Sequence, residues 1–163
     1  MVSFREASVT DDAAVALLKE YFSARAQSFP ESMGVYRTTF PSPEDFEPPR
    51  GVFLIVEDED TAGEAADVGC GGIRLIAGTT GVIRFEIKHL WVQPHLRGQG
   101  VGRRLLEELE ARARAFGAKE VVLDTNVVQE AAAGLYRHSG YEEIAPYNDN
   151  PNATHWFAKT LVD

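Results

Sequence analysis

The chain has 163 residues, is 44% hydrophobic and carries a formal net charge of -9 at pH 7, which suits one well-packed domain over residues 1–163 and is too short for two. Phosphate backbones are bound by clustered Lys and Arg, so this acidic balance argues against a nucleic-acid partner and leans weakly toward a cationic one. Cys70 is the single cysteine, which rules out an internal disulfide and a thiolate zinc site, and the longest apolar run is VFLIV, far short of the ~20 residues of a membrane span; a soluble, cytoplasmic protein with no membrane partner is expected.

The segment VSFREA alternates and predicts a short strand. Thr10 is placed to cap a helix whose first turn holds Asp11 and Asp12 and whose inner face is Ala14, Leu17, Leu18, Tyr21 and Phe22. Five prolines between Phe29 and Arg50 forbid long regular structure and leave a loop with a short helical turn near Pro43; a loop of that length in a compact domain is often functional. GVFLIVED predicts a strand, the acidic run EDEDTAGEAAD a solvated loop, and Gly69 to Ala77 a further strand that carries Cys70 as a small buried residue. A turn at GTTG leads to a strand from Val82 to Val92, and a helix from Gly100 to Phe116 ends at Gly117 in a left-handed cap. EVVLDT predicts a strand, Gln129 to Ser139 a helix stopped by Gly140, and YEEIAPY and THWFAKTL two last strands. The order predicts an α/β fold, a mixed sheet with helices on its faces.

Two local patterns carry chemistry. Along the strand ending at Val92, apolar residues alternate as Ile83, Phe85 and Ile87, then the rhythm slips to Leu90 and Val92. One extra residue in a period of two is what a β-bulge produces, unless both faces are buried and phase means little. Behind this strand a helix opens on Gly98, Gly100 and Gly102 with Arg97, Arg103 and Arg104 about its start. A helix start has unpaired N–H groups and partial positive charge, so arginines there cost stability unless an anion is bound, and glycines let its oxygens come close. The chain has no GK[ST] triplet for a Walker loop, and a GxGxxG dinucleotide loop fails at Arg103 or Leu105; Asp124, at the end of the next strand, leaves a nicotinamide reading only weakly open.

The run Arg97, Gly98, Gln99, Gly100, Val101, Gly102 after EIKHLWVQP resembles the pyrophosphate motif [RQ]xxGx[GA] of the GNAT superfamily of acyl-CoA-dependent N-acetyltransferases. The resemblance continues through LLEELEARARAFGAKEVVLDT to EAAAGLYRHSGYEEI. It implies a mostly antiparallel sheet of seven strands, splayed at the cofactor site. It also implies acetyl-CoA as cosubstrate, its pyrophosphate cradled by the backbone from Gln99 to Gly102 with Arg97 and Arg103 adding charge. The backbone of Leu90, Trp91 and Val92 would meet the pantetheine arm, with an amide near Val92 facing the thioester oxygen as an oxyanion donor. Gln129 stands where the family often has an asparagine that contacts the cofactor; Asn126 is the nearby alternative.

The resemblance also implies two catalytic residues. Glu86 occupies the position of a catalytic glutamate, yet with a carboxylate pKa of ~4.3 against ~10.4 for a lysine-like amine, full direct deprotonation would cost on the order of 8 kcal/mol. Action through water, or on the amine during attack, is expected; the alternative is a polar residue on a solvated face with Arg84 and Lys88. Tyr136 matches the family tyrosine that points at the cofactor sulfur, where a phenol at ~10 would reprotonate a thiolate at ~8.5 at about 2 kcal/mol uphill; the alternative is a core aromatic. His89, His95, His138 and His155 lack ligand spacing, so no metal is expected, and no GxSxG stretch is present. Tyr147 to Trp156 borders the acceptor pocket in the family, with ordinary turn chemistry as the alternative. The expected activity is transfer of an acetyl group from acetyl-CoA to a primary amine of a small molecule or peptide, by direct attack in a ternary complex. A non-catalytic acyl-CoA-binding or regulatory module of the same fold is the competing reading, and oligomeric state is open, a homodimer included.

Overall fold

The computed structural model describes residues 1–76, 81–126 and 130–162. Strands β1 (Ser3–Glu6), β2 (Gly51–Glu59), β3 (Ala65–Ile76), β4 (Arg84–Val92), β5 (Glu120–Thr125), β6 (Glu142–Ile144) and β7 (His155–Thr160) form one sheet. Helices α1 (Asp12–Ser28), α2 (Val101–Ala115) and α3 (Glu130–His138) are threaded between them. The sheet order is β1-β2-β3-β4-β5-β7-β6, antiparallel throughout except for the parallel pair β4–β5. The run VFLIV on β2 is buried along its whole length because both faces of the sheet are covered. Val52, Leu54 and Val56 join the core under α2, where Leu105, Leu106 and Leu109 pack. Phe53 and Ile55 point the other way, to Leu17, Leu18 and Phe22 of α1. No described helix is long and apolar enough to cross a membrane.

The α2 helix ends as expected. Gly117 is left-handed at φ 90, and two bonds, Ala118 N–H to the Ala113 carbonyl and Gly117 N–H to that of Arg114, both 2.9 Å, close a Schellman motif. A 3-10 turn stands at Pro43–Phe46 within the proline-rich loop. The start of α1 differs from expectation: Asp11, not Thr10, is the N-cap residue, and it makes no side-chain cap bond. Thr10 instead pairs its hydroxyl with Ser8 Oγ at 2.8 Å. The acidic run is also mostly strand, because Arg5 on β1 holds Asp67 through two bonds of 3.0 and 3.1 Å and so extends β3 back to Ala65. Only 60–64 remains a loop, turned by Asp60 accepting from the amides of Ala62 and Glu64. The strand before the glycines begins at Arg84 rather than Val82, and β6 is three residues long. Ala77, most of the GTTG turn and the first residue expected of α3 lie outside the described residues.

Two departures from regular pairing shape β4. Trp91 faces Cys70 and Lys88 faces Gly72, so the same step takes two residues on β3 and three on β4, with the register shift between Cys70 and Gly72. The extra residue is His89, the only non-glycine with positive φ (59) among the described residues. The bulge inferred from the apolar rhythm is therefore present. On its other edge β4 pairs with β5 over Arg84–Glu86 against Glu120–Val122; beyond that, residues 87–92 have no strand partner on the β5 side among the described residues, and the sheet opens as a wedge.

Close packing behind the bulge leaves no room for a side chain at Gly72, where an added Cβ would lie 2.7 Å from the Phe46 ring. Gly72→Ala is expected to lower stability by about 1–3 kcal/mol, measured by urea denaturation.

Candidate active site

The start of α2 is built to leave donors unused. After β4 a 3-10 turn at Pro94–Leu96 leads to Gly98 (φ 79) and to Gly100 (φ 80), the N-cap residue of α2. A Cβ at either glycine would meet nothing within 4 Å, so their left-handed backbone, not protein packing, calls for glycine, and the space beside them is open. The first helical bond is from Arg104 N–H to the Gly100 carbonyl, 3.1 Å, which leaves the amides of Val101, Gly102 and Arg103 without intrahelical partners. No acidic residue lies in this first turn, whereas α1 starts with Asp12. Around the opening, the Arg97 guanidinium sits 5.1 Å over the Trp91 ring and donates to the Val92 carbonyl at 3.4 Å. Gln99 donates to the His95 carbonyl, and Arg103 pairs with Glu107. Leu90 packs toward α2, while Trp91 packs toward α1 and its indole donates to Glu20. Open glycines, free helix amides and an unpaired strand edge fit the diphosphate and the extended amide arm of an acyl-CoA. Gln129 lies outside the described residues; Asn126 is buried and donates to the Asn152 carbonyl.

On the other side of β4 lies a cavity of about 380 Å³, within the range of small-molecule sites. Its walls come from α1, the proline-rich loop, the bulge, the end of β5 and residues 148–153. The extra residue at the bulge brings two consecutive side chains, Lys88 and His89, onto this wall. The His89 ring is held among Tyr21, Phe22 and Phe46 at 5.4, 5.5 and 5.8 Å, and its buried Nδ1 has no hydrogen-bond partner. Burial, with the cations of Lys88, Arg74 and Arg25, pushes its pKa down to about 3, so the ring is neutral at physiological pH. The backbone carbonyl of His89 accepts from the Cys70 thiol at 3.4 Å, and burial raises that thiol well above the usual range.

Glu86 is not on a solvated face: it is 1% exposed. Arg74 engages its Oε1 through two nitrogens at 2.8 Å, and the Tyr147 hydroxyl donates to Oε2 at 2.7 Å. Asn148 bridges the same oxygen, at 3.5 Å, to Asp124 Oδ2 at 2.8 Å, and accepts from the Trp156 indole at 2.9 Å. Burial, then the Glu86 charge, raises the Tyr147 phenol far above its ordinary value. Glu86 sits behind the cavity wall, whereas Asp124 and Asn148 line it. Arg84 and Lys88, its expected companions on a solvated face, pair with Glu120 and Asp124. The asparagine-rich segment therefore does more than turn the chain, although Asn148 and Asn150 also accept from the amides two residues on.

Tyr136 is 4% exposed and packs on Tyr141 and Phe157. Burial pushes its phenol up to about 12, with Arg25 lowering it and Tyr21 and Asp124 raising it; its ring is thus core, yet within electrostatic reach of the cavity wall. The neighbouring Leu135 would touch a Cβ on Gly102 at 3.5 Å, so α3 lies against the glycine-rich helix start. Sequence reasoning missed His89, weighed only as a metal ligand and set aside for lack of ligand spacing, and the Tyr147–Asn148 anchor of Glu86; the slipped rhythm at Ile87 and Leu90 was the signal for the first, and none was available for the second.

A histidine depressed on folding contributes stability that is complete above its unfolded pKa of ~6.5 and is lost as pH falls through the folded value. His89→Asn, a residue that tolerates positive φ, is expected to remove that acid-side loss. Urea denaturation of both proteins at about pH 7 and about pH 4 should show the native chain losing more stability, by a few kcal/mol at most.

The sequence profile of the Acetyltransferase (GNAT) family matches residues 13–141. An IAA acetyltransferase of Azospirillum brasilense is 42% identical over 81 residues, 49% of this chain and 50% of that protein. An uncharacterized N-acetyltransferase of Schizosaccharomyces pombe is 31% identical over 104 residues, 64% of this chain and 60% of that protein; the chain thus spans half to three fifths of the length of these curated relatives. Among solved structures, a candidate acyl-CoA N-acyltransferase of Klebsiella pneumoniae superposes with TM-score 0.70 at 27% identity, covering 99% of both chains. A GNAT-family acetyltransferase of Staphylococcus aureus superposes with TM-score 0.71 at 13% identity over 99% of this chain and 100% of that one, a likeness of fold alone. Profile, relatives and fold agree with the glycine-rich helix start and the wedge beside it: the chain belongs to the GNAT acetyltransferase family.

Proposed function

We propose that this chain is an N-acetyltransferase that moves the acetyl group of acetyl-CoA to a primary amine by direct attack within a ternary complex. The observation that carries this reading is the uncapped start of α2, with Gly98 and Gly100 left-handed beside open space, next to the unpaired edge of β4 and backed by the cavity. Acetyl-CoA supplies the acyl group: a C–N bond forms, the C–S bond breaks, one proton leaves the amine and one goes to sulfur. The chain's part is to hold and orient. The amides of Val101, Gly102 and Arg103, with Arg97 and Arg103, bind the diphosphate; Leu90, Trp91 and Val92 offer backbone groups along the wedge.

Proton handling divides among three residues. A lysine-like amine is protonated at neutral pH, and freeing it costs about 4.6 kcal/mol at pH 7, so an acceptor for that proton is needed. Of the two carboxylates on the cavity wall, Asp45 and Asp124, the second stands on β5 next to β4, held by Lys88 at 3.7 Å and Asn148 at 2.8 Å, and it takes the proton through water. Glu86 has both oxygens occupied by Arg74, Tyr147 and Asn148, which suits a positioning role that fixes Tyr147, Arg74 and, through Asn148, Asp124. Tyr136, neutral across the working pH range with its pKa pushed up to about 12, donates a hydrogen bond to the leaving sulfur.

Calorimetry with CoA tests the cofactor site. Saturable binding to the native chain is expected, weakened on the order of tenfold or more by Gly100→Ala, since a Cβ there opposes the left-handed backbone and occupies space beside the amides. No binding to the native chain would overturn the reading. Steady-state kinetics separate the acid–base roles: Asp124→Asn should remove the acid limb of the kcat/KM profile, whereas Glu86→Gln should lower kcat with that limb kept. An acid limb lost with Glu86→Gln and kept with Asp124→Asn would return the base to Glu86.

A further inference from the structure

The whole-chain charge leans toward a cationic acceptor, but the cavity is lined with the opposite sign. Arg25, Arg37, Arg74 and Lys88 reach it, against Asp45 and Asp124. Each acid already has cationic partners: Asp45 pairs with Arg50 at 3.3 Å and Arg74 at 3.9 Å, and Asp124 with Lys88 at 3.7 Å. Arg74 is committed further to the buried Glu86. Among the described residues, Arg25 and Arg37 make no ion pair. Arg25, in the last turn of α1, holds its guanidinium 5.0 Å from the centre of the Tyr21 ring, a contact that positions the cation on the cavity wall without neutralising it. Arg37 is fixed at its backbone, where Asn152 accepts from its N–H at 3.1 Å and donates to its carbonyl at 2.8 Å. Two arginines on the lining of one cavity, neither paired with a carboxylate among the described residues, suit an oxyanion group. The same lining is rich in aromatics, with Tyr21, Phe22, Tyr36, Phe40 and Phe46, and His89 adds a neutral ring whose buried Nδ1 lacks a partner among the described residues.

Resting on the acetyltransferase reading, we infer that the acceptor is an amine that also carries an anionic group, a carboxylate or a phosphonate, on an apolar or aromatic body. Arg25 and Arg37 receive the anion and the aromatic wall receives the body, which leaves the amine toward Asp124 and the wedge. Polyamines and other purely cationic acceptors are disfavoured by the two uncompensated guanidiniums.

The test pairs amines that differ only in the anion: phenylalanine, its phosphonic acid analogue and phenylalanine amide, with spermidine as the cationic control, each followed by release of free CoA. The acid or the phosphonate is expected to have the higher kcat/KM, and which of them leads tells the two anions apart. Arg25→Gln and Arg37→Gln should each raise KM for the preferred anionic amine on the order of tenfold while leaving that for the amide unchanged, with Arg25→Lys partly restoring it. An amide or spermidine used as well as the acids, or variants that shift acid and amide alike, would overturn the inference while the acetyltransferase reading stands. Binding of N-acetylphenylalanine, followed by calorimetry, needs no turnover: Arg25-dependent binding by a chain silent with every amine would keep the anion site and sink the transfer reaction. Absent or Arg25-independent binding, together with no preference among the amines, would sink the site itself.

Discussion

The parallel pairing of β4 with β5 stops at Glu86 and Val122, and the rest of the site depends on that stop. A strand edge that loses its partner inside a sheet must satisfy its backbone groups some other way, or offer them to a ligand. Here β4 turns away, gains an extra residue at His89, and delivers the chain into the glycine-rich start of α2. One interruption thus leaves an open strand edge, leads into helix amides without intrahelical partners, and puts Lys88 and His89 on a cavity wall.

Burying Glu86 between Arg74, Tyr147 and Asn148 is the other expensive element. A carboxylate at 1% exposure is tolerable only when its oxygens are hydrogen-bonded and its charge is matched. Arg74 supplies the charge and Tyr147 and Asn148 fill the second oxygen. The network runs on to Asp124 and Trp156, so β3, β4, β5, β7 and the segment before β7 are held in register by one polar cluster beside the cavity. A polar cluster with its members satisfied in this way favours one arrangement of the strands that meet there.

Much of this was legible in the sequence where information is local. The bulge followed from the spacing of Ile87, Leu90 and Val92, the turn into α2 from the glycines around its start, and the Gly117 cap from a single residue. Pairings made across the fold were not legible. The strand character of Ala65–Asp67 depends on Arg5, more than sixty residues earlier, so an acidic stretch read as a loop. The burial of Glu86 depends on Arg74 and Tyr147, and nothing in the alternation of β4 distinguishes a solvated glutamate from one buried with partners. The sign of the cavity was likewise hidden, since a total charge of -9 says nothing about which arginines meet in one place.

The bond between Asn152 and the backbone of Arg37 joins residues 115 apart in the chain. The cofactor side, by contrast, is nearly continuous from β4 through α2. The β4–α2 side is thus held together by chain continuity, whereas the face at Arg37 exists only where two distant segments meet. A loss of the Asn152 side chain would free the backbone of Arg37 and with it one edge of the cavity, while leaving β4 and the start of α2 untouched.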